Sequence, residues 1–410
     1  MKIGLLGFGT VGRGVVERIQ MTNQQLTNTL SQQINIEAVL IKNHQKHQAE
    51  KQTLFVTNDW QVFSQKCDYD VVFEAIGGLE PAYEYTRFFL EKGIPVVSAN
   101  KKLVAEKGSE LEEIAESRNI FYSYEAAVAG GIPIINLLEG SLSTTPISKI
   151  TGILNGTTNY ILTEVKEKGV TVEEALSQAQ LLGYAESDPK DDIEGYDAWY
   201  KIRILAKLCF GSWLNPNKVE RKGLNDVQQW HIELGQKLGL TLKLVAEAAY
   251  LGDGEAKAEV APAFISNDHP FTYVNGVTNA ILIEGPTIGQ LCLQGPGAGK
   301  EATANSMVED LLFQSNYEGK RSKSSGVQSE VANSFNHYFI FVANEDLQEG
   351  ILEVEKDDNQ ICAQYSHPEG EVYVVKGQDI TSPFPVIKII GDWDPAQVKV
   401  ETESAILFSL

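Results

Sequence analysis

Between Gly183 and Lys201 the chain reads GYAESDPKDDIEGYDAWYK, a run that gathers acids and a lysine more densely than a structural helix requires. Asp197 and Lys201 are four residues apart, so a helix opened by Gly195 and Tyr196 sets both side chains on one face, one turn apart. Glu186 and Asp192 precede them in a Gly/Pro/Asp-rich loop that can fold back over that face. Lysine beside carboxylates is a set for proton transfer and ion pairing. The plain alternative is a solvated helix whose Asp191, Asp192 and Glu194 suit its positive N-terminal end, with Asp197 and Lys201 as an ordinary surface pair.

Such residues need a scaffold, and the N-terminus supplies its clearest part. Lys2 to Leu6 is a short apolar strand, followed by Gly7-Phe8-Gly9-Thr10-Val11-Gly12 and a helical pattern through about Ile19. Between a strand and a helix, GxGxxG is a dinucleotide-binding fingerprint. Its first glycine makes the tight turn, its second lets backbone approach a pyrophosphate, and its third lets helix and strand pack closely. The helix N-terminus then faces the anion. The next strand, Ile36 to Ile41, ends at Lys42, Asn43 and His44, where an acid would favour NAD by accepting from the ribose 2′-hydroxyl. Lys42 therefore predicts NADP(H) as the preferred cofactor, with NAD(H) as the alternative.

Apolar runs at Val71 to Ile76, Ile94 to Ser98 and Ile120 to Tyr124 alternate with helical patterns at Pro81 to Glu91 and Leu103 to Ser117, the signature of a parallel sheet flanked by helices. Ligands in such sheets bind beyond the carboxyl ends of strands. Gly77 ends one strand, where a nicotinamide ribose needs close approach, and Ser98 and Lys101 end the next at the crevice. After Gly131 and a helix through about Leu138 the character changes. A strand at Ile147 to Leu154 leads into Asn155-Gly156-Thr157-Thr158-Asn159, a polar turn capping a helix, and a second helix runs from Val172 to Leu182. A helix over Asp226 to Leu238 then precedes strand-like runs at Thr241 to Ala249, Ala256 to Pro262, Thr278 to Glu284 and Gln290 to Gln294. Gly295-Pro296-Gly297-Ala298-Gly299 opens an apolar helix, Ala302 to Phe313, that returns to the N-terminal domain.

The expected fold is α/β. An N-terminal Rossmann domain with a doubly wound parallel sheet covers residues 1–138, with its return helix at about 300–320. An α+β substrate-binding and dimerisation domain covers 139–299, and a divergent strand-rich module covers 330–410. The net charge of −21 excludes a general nucleic-acid or anionic-membrane surface, which needs a dominant basic face. Cys67, Cys209, Cys292 and Cys362 are scattered and the six histidines lack ligand spacing, so a catalytic transition-metal site is not expected. No run is long and apolar enough to span a bilayer and no cleavage site follows Met1, so the expected location is cytoplasmic.

Over about residues 1–315 the chain resembles homoserine dehydrogenase. The likeness rests on GFGTVGRGV, SANKKL, YEAAVAGGIPII, GILNGTTNYIL, the GYAESDPKDDIEGYDAWYK run, HPFTYVNGVTNAI and the GPGAG loop, in that order. The lack of an amino-acid kinase region fits the monofunctional form. The resemblance implies nicotinamide-dependent interconversion of L-aspartate 4-semialdehyde and L-homoserine in threonine and methionine biosynthesis, by a homodimer or higher homo-oligomer. Lys201 and Lys101 are the implied catalytic residues, and Glu186, Asp192 and Asp197 the implied substrate-binding acids. It also implies a structural monovalent cation, sodium, on the Glu125 side chain and the carbonyls of Val128, Gly130 and Ile132. Many relatives end in a βαββαβ ACT regulatory domain. Here Asn336 to Val342 resembles its first strand, but Ile351 to Asp357 and Pro368-Glu369-Gly370 replace the helix expected next, so the tail reads as a degenerate ACT fold or an oligomer-contact module. Two rivals stand beside this reading: a dehydrogenase of another small amino-acid-derived aldehyde, and a cofactor-binding sensor of the same fold without turnover.

Overall fold

A computed structural model describes residues 1–42, 54–66, 68–316, 336–347, 360–377, 380–397 and 405–407. Asn43, His44, Cys67, the 322–329 stretch and Ile351 to Asp357 lie outside the described residues.

The N-terminal part alternates strands and helices: β1 Lys2–Leu6, α1 Thr10–Leu30, β2 Asn35–Leu40, β3 Val56–Thr57, α2 Trp60–Gln65, β4 Val71–Glu74, α3 Ala82–Glu91, β5 Val96–Ser98, α4 Lys101–Ser117 and β6 Tyr122–Ser123. The strands form one parallel sheet in the order β3-β2-β1-β4-β5-β6. Neighbouring residues along a strand point to opposite faces, and both faces are apolar because helices cover both. Leu6, Val72 and Val96 enter the core beneath α2, α3 and α4, while Leu5, Phe73 and Val97 enter a second core with Val15, Val16 and Ile19 of α1. That second core is closed by Ala304, Met307, Val308 and Leu311 from a helix much later in the chain, α11 below. A Cβ on Gly14 would lie 2.6 Å from the Lys300 carbonyl oxygen, so α1 and α11 meet where only glycine fits.

The middle of the chain runs through α5 Ile134–Glu139, β7 Lys149–Ile153, α6 Gly156–Lys168, α7 Val172–Leu181, α8 Lys190–Ile193, α9 Tyr196–Phe210, β8 Val219–Arg221, α10 Gln229–Lys237, β9 Leu240–Gly252, β10 Glu255–Ser266, β11 Thr278–Gly285, β12 Gly289–Pro296 and α11 Lys300–Asn316. The tail adds β13 Asn336–Ala343, β14 Gln360–His367, β15 Gly370–Gly377, β16 Val386–Ile390 and β17 Ala405–Leu407. These strands make one mixed sheet in the order β12-β11-β7-β9-β10-β16-β13-β15-β14-β17, with β8 pairing β10 off that path. The described tail strands join this sheet: β16 runs parallel to β10 with Ala263 opposite Lys388. An ion-pair network staples the seam. Glu247 on β9 lies 2.7 Å from Lys149 and 3.1 Å from Lys388, and those cations hold its carboxyl near 2 against the cost of burial. Among the described residues, no helix is long and apolar enough to cross a membrane.

Helix α9 is buried nearly all round, from Ala198 to Phe210, because it lies between the mixed sheet and α4 of the parallel-sheet part. Three ion pairs climb the α4–α9 seam in the same direction: Lys101 with Asp197, Glu106 with Arg203 at 2.9 Å, and Glu112 with Lys207 at 2.6 Å. The two helices therefore run parallel, and their N-terminal ends meet.

Candidate active site

That meeting point gathers most of the acid-and-lysine run. Gly195, at φ 80, turns the chain into α9, which places Asp197 in the first turn and Lys201 one turn later. Lys201 Nζ donates to Asp197 Oδ2 at 2.8 Å and to the Leu154 carbonyl at 2.6 Å. The other carboxylate oxygen of Asp197 pairs with Lys101, the first residue of α4. Asp197 is 3% exposed and Lys201 7%, so this is not the solvated surface pair of the plain alternative. Asn155, the N-cap of α6, accepts the Thr158 N–H through Oδ1 at 2.8 Å and uses its amide to reach Asp192 at 2.6 Å and Asp197 at 2.9 Å.

The electrostatics follow from burial and neighbours. Burial penalises the Asp197 carboxylate, but Lys101 and Lys201 outweigh it and hold the group far below the usual carboxylate range. Two helix N-termini at the same place add to that stabilisation. Burial lowers Lys201 below the ordinary lysine range, and the Lys101 charge adds to this against the pull of Asp197. Burial also opposes the charge on Lys101, but Asp197, with Asp192 and Asp191 behind it, keeps it above the ordinary range. Asp192 is raised by burial and by the Asp197 charge. Glu186 is exposed, and no hydrogen bond or ion pair joins its carboxylate to the cluster. Its backbone carbonyl accepts from Gln180 at 3.1 Å.

The glycine-rich end of the parallel sheet lies on the same side as Lys101. Gly7 has φ 94, and a Cβ there would stand 2.6 Å from the Ala75 carbonyl oxygen; one on Gly12 would stand 2.2 Å from the Gly7 carbonyl oxygen. Gly9, the N-cap of α1, makes no side-chain cap, and a Cβ there meets nothing within 4 Å. Thr10 and Val11 thus begin a helix beside the open space at Gly9, and its first N–H groups are the donor set a pyrophosphate needs. Phe8 is buried beneath the Arg13 guanidinium, 5.4 Å from its ring. Gly77 is exposed and open. Ser98 is fully buried, donating to Glu74 and accepting from the Asn100 N–H at 3.1 Å. Asn100 caps α4 through Leu103 N–H at 3.1 Å and braces the Ile76 and Gly78 carbonyls at 2.8 and 2.6 Å. It thereby ties the strand-end loop to the helix that carries Lys101. Lys42, two residues beyond the end of β2, is exposed.

Glu125, Val128, Gly130 and Ile132 lie on one buried turn between β6 and α5. The Glu125 carboxylate accepts the Ile135 and Asn136 N–H groups at 2.9 and 2.6 Å, and its own N–H donates to Asp310 at 2.8 Å. Burial, then the Asp310 charge, raises Glu125 to about 8. The Gly130 carbonyl accepts from Ser306 at 2.6 Å. Among the described residues, no group of three or more His, Cys, Asp or Glu side chains is arranged to hold a metal.

Three participants escape the sequence reading. Asn155 was legible as a cap but not as a bridge, although a cap spends only its oxygen and leaves its amide free. Glu74 ends the apolar strand VVFE fully buried, raised to about 7 by that burial, and accepts from Ser98 and the Ile76 N–H. Lys243 interrupts the apolar β9, and burial lowers it to about 7. Its ammonium group is spent on Asn159, Val274 and Asn275 at 2.8, 2.6 and 3.2 Å, which ties α6 to the loop before β11.

Two family models match the chain, one described as homoserine dehydrogenase over residues 133–312 and one as the homoserine dehydrogenase NAD binding domain over residues 7–125. A homoserine dehydrogenase of Lactococcus lactis subsp. lactis (strain IL1403) is 40% identical over 316 residues, 76% of this chain and 73% of that relative. Among solved structures, a homoserine dehydrogenase from Thiobacillus denitrificans has a TM-score of 0.85 at 28% identity, covering 95% of this chain and 98% of its own. A hyperthermophilic archaeal homoserine dehydrogenase in complex with NADPH has a TM-score of 0.67 at 26% identity, covering 78% of this chain and 99% of its own.

Proposed function

The chain belongs to the homoserine dehydrogenase family, and from that premise we propose that it interconverts L-aspartate 4-semialdehyde and L-homoserine with its two site lysines dividing the work. The observation that carries this reading is Lys201, buried between the Leu154 carbonyl and Asp197. A nicotinamide cofactor, when bound, supplies or accepts the hydride. Reduction of the aldehyde leaves an alkoxide that needs a proton, and oxidation of the alcohol requires one to be removed. Two of the three Nζ donors of Lys201 are spent on protein, which leaves one for the substrate oxygen. Its lowered pKa suits it to give up and regain that proton. Lys101 keeps its charge and polarises the same oxygen, while Asp192 holds the substrate ammonium.

The open α1 N-terminus at Gly9 fits a dinucleotide pyrophosphate, and the exposed Lys42 supports NADP(H) over NAD(H) as the partner. A monovalent cation, sodium, would sit on the Glu125 carboxylate and the carbonyls of Val128, Gly130 and Ile132. The buried Glu125 and Asp310 carboxyls support this, since two acids side by side favour a hard cation between oxygen donors. We place the protein as a homodimer or higher homo-oligomer built on the mixed sheet, acting in the cytoplasm in threonine and methionine biosynthesis. The deciding experiment follows nicotinamide absorbance with L-homoserine and NADP+ or NAD+ at alkaline pH. Wild type should reduce NADP+ faster, and Lys201→Ala should cut turnover by about 10²–10⁴-fold while cofactor binding persists. Silence of folded, cofactor-binding wild-type protein would overturn the reading.

A further inference from the structure

Asn279, near the start of β11, is fully buried, and its side-chain amide donates to the Leu154 carbonyl at 3.0 Å. That carbonyl is also the acceptor of Lys201 at 2.6 Å, so Asn279 and Lys201 share one oxygen. The Asn279 Oδ1 has no hydrogen-bond partner among the described residues. It is walled in by the GPGAG loop, where a Cβ on Gly297 would stand 2.2 Å from that oxygen. Leaving a buried amide oxygen unpaired is costly, and a chain needing only a donor to Leu154 could use a hydroxyl instead.

We propose that Asn279 is a positioning residue for the proton-transfer step, acting on Lys201 through the Leu154 carbonyl. A carbonyl oxygen has two lone pairs. With Asn279 occupying one direction, Lys201 is confined to the other, and Asp197 takes its second donor. The remaining Nζ donor then has a single direction left, which is how a group that never touches substrate sets the geometry of transfer. Gly297 presses the amide in place from behind, so the glycine-rich loop and the acid–base centre are one packed unit.

This inference rests on the role given to Lys201 above, and its test separates the two. In Asn279→Ala the carbonyl loses its second donor, and kcat with L-homoserine and NADP+ should fall about 10–100-fold while the KM for NADP+ changes little. In the nearly isosteric Asn279→Asp, a carboxylate close to the ammonium favours the charged form. The pKa of Lys201, read from its 13Cε chemical shift in 13C-lysine-labelled full-length protein and assigned by its loss in Lys201→Ala, should rise by about one unit. The rising limb of the kcat–pH profile in homoserine oxidation should move up with it. An unshifted Lys201 resonance in Asn279→Asp overturns the inference, as does an Asn279→Ala protein with wild-type kcat; a merely structural asparagine would cost stability in Asn279→Ala without lowering kcat at saturating substrates. If Asn279→Ala fails to fold, the Asn279→Asp resonance decides alone. Because that resonance needs no turnover, inactive wild type would overturn the functional reading and leave this test standing.

Discussion

Lys101 and Asp197 form an ion pair although one opens α4 of the parallel sheet and the other stands in the first turn of α9 against the mixed sheet. The pair therefore joins the part of the chain that suits a dinucleotide to the part that carries the acids. Among the described residues, Asp197 is also the one carboxylate that ion-pairs with both site lysines.

Asp197→Asn should accordingly remove the charge that pairs with both lysines. It leaves the buried Lys201 and the half-buried Lys101 facing each other without the carboxylate that contacts both, and breaking a buried pair in this way costs about 3–5 kcal/mol. Urea unfolding should show that loss together with a fall in turnover of at least about 100-fold. Unchanged stability would mean that solvent already screens the pair.

Two glycines of the fingerprint should respond differently. Gly9→Ala adds a Cβ into open space, so the unfolding midpoint should hold while NADP+ affinity drops about tenfold or more. Gly12→Ala drives a Cβ to 2.2 Å from the Gly7 carbonyl oxygen and should cost both stability and binding. Wild-type NADP+ affinity in Gly9→Ala would move the pyrophosphate away from that position.

Lys42→Glu should reverse the cofactor preference. A carboxylate repels a 2′-phosphate and accepts from a 2′-hydroxyl, so the kcat/KM ratio of NADP+ to NAD+ should fall by about tenfold or more. An unchanged ratio would take Lys42 out of cofactor selection.

Glu74 sets a pH dependence of stability. Burial raises its carboxyl from 4.5 to about 7, so between those values the folded state binds more protons than the unfolded chain. Its contribution is full below pH 4.5 and is lost as pH rises through 7. Glu74→Gln cannot titrate and should flatten the fall in unfolding free energy over that window while still accepting the Ile76 N–H. Parallel slopes for wild type and variant would show that Glu74 ionises near its ordinary value.

Local pattern made the first sheet legible. The runs Val71 to Ile76, Ile94 to Ser98 and Ile36 to Ile41 predict strands that the structure places at β4, β5 and β2, the first two shortened and the last shifted by one residue. The end of the expected strand Ile120 to Tyr124 is instead followed by a 3₁₀ turn at Glu125–Ala127, because Glu125 is pulled in to accept the N–H groups at the start of α5. The short helix α8 was read as loop, since four residues of Lys, Asp and Ile carry no apolar period. The geometry of Asp197 and Lys201 was legible from spacing of four and a glycine before them. Lys101 beside Asp197 was not, because no local period relates residues on two helices far apart in the chain.

The sequence by itself determined the helix and strand order of the nucleotide-binding part, the fingerprint turn, and the face on which Asp197 and Lys201 sit, since each depends on contacts within a few residues. Tertiary structure alone decided that α11 completes the first core, that β16 joins β10, that Glu186 stays outside the cluster, and that Asn155, Asn279 and Lys101 converge on Asp197, Leu154 and Lys201. Those outcomes depend on burial and on which distant backbone groups are left to be satisfied, and both quantities exist only once the chain has closed on itself.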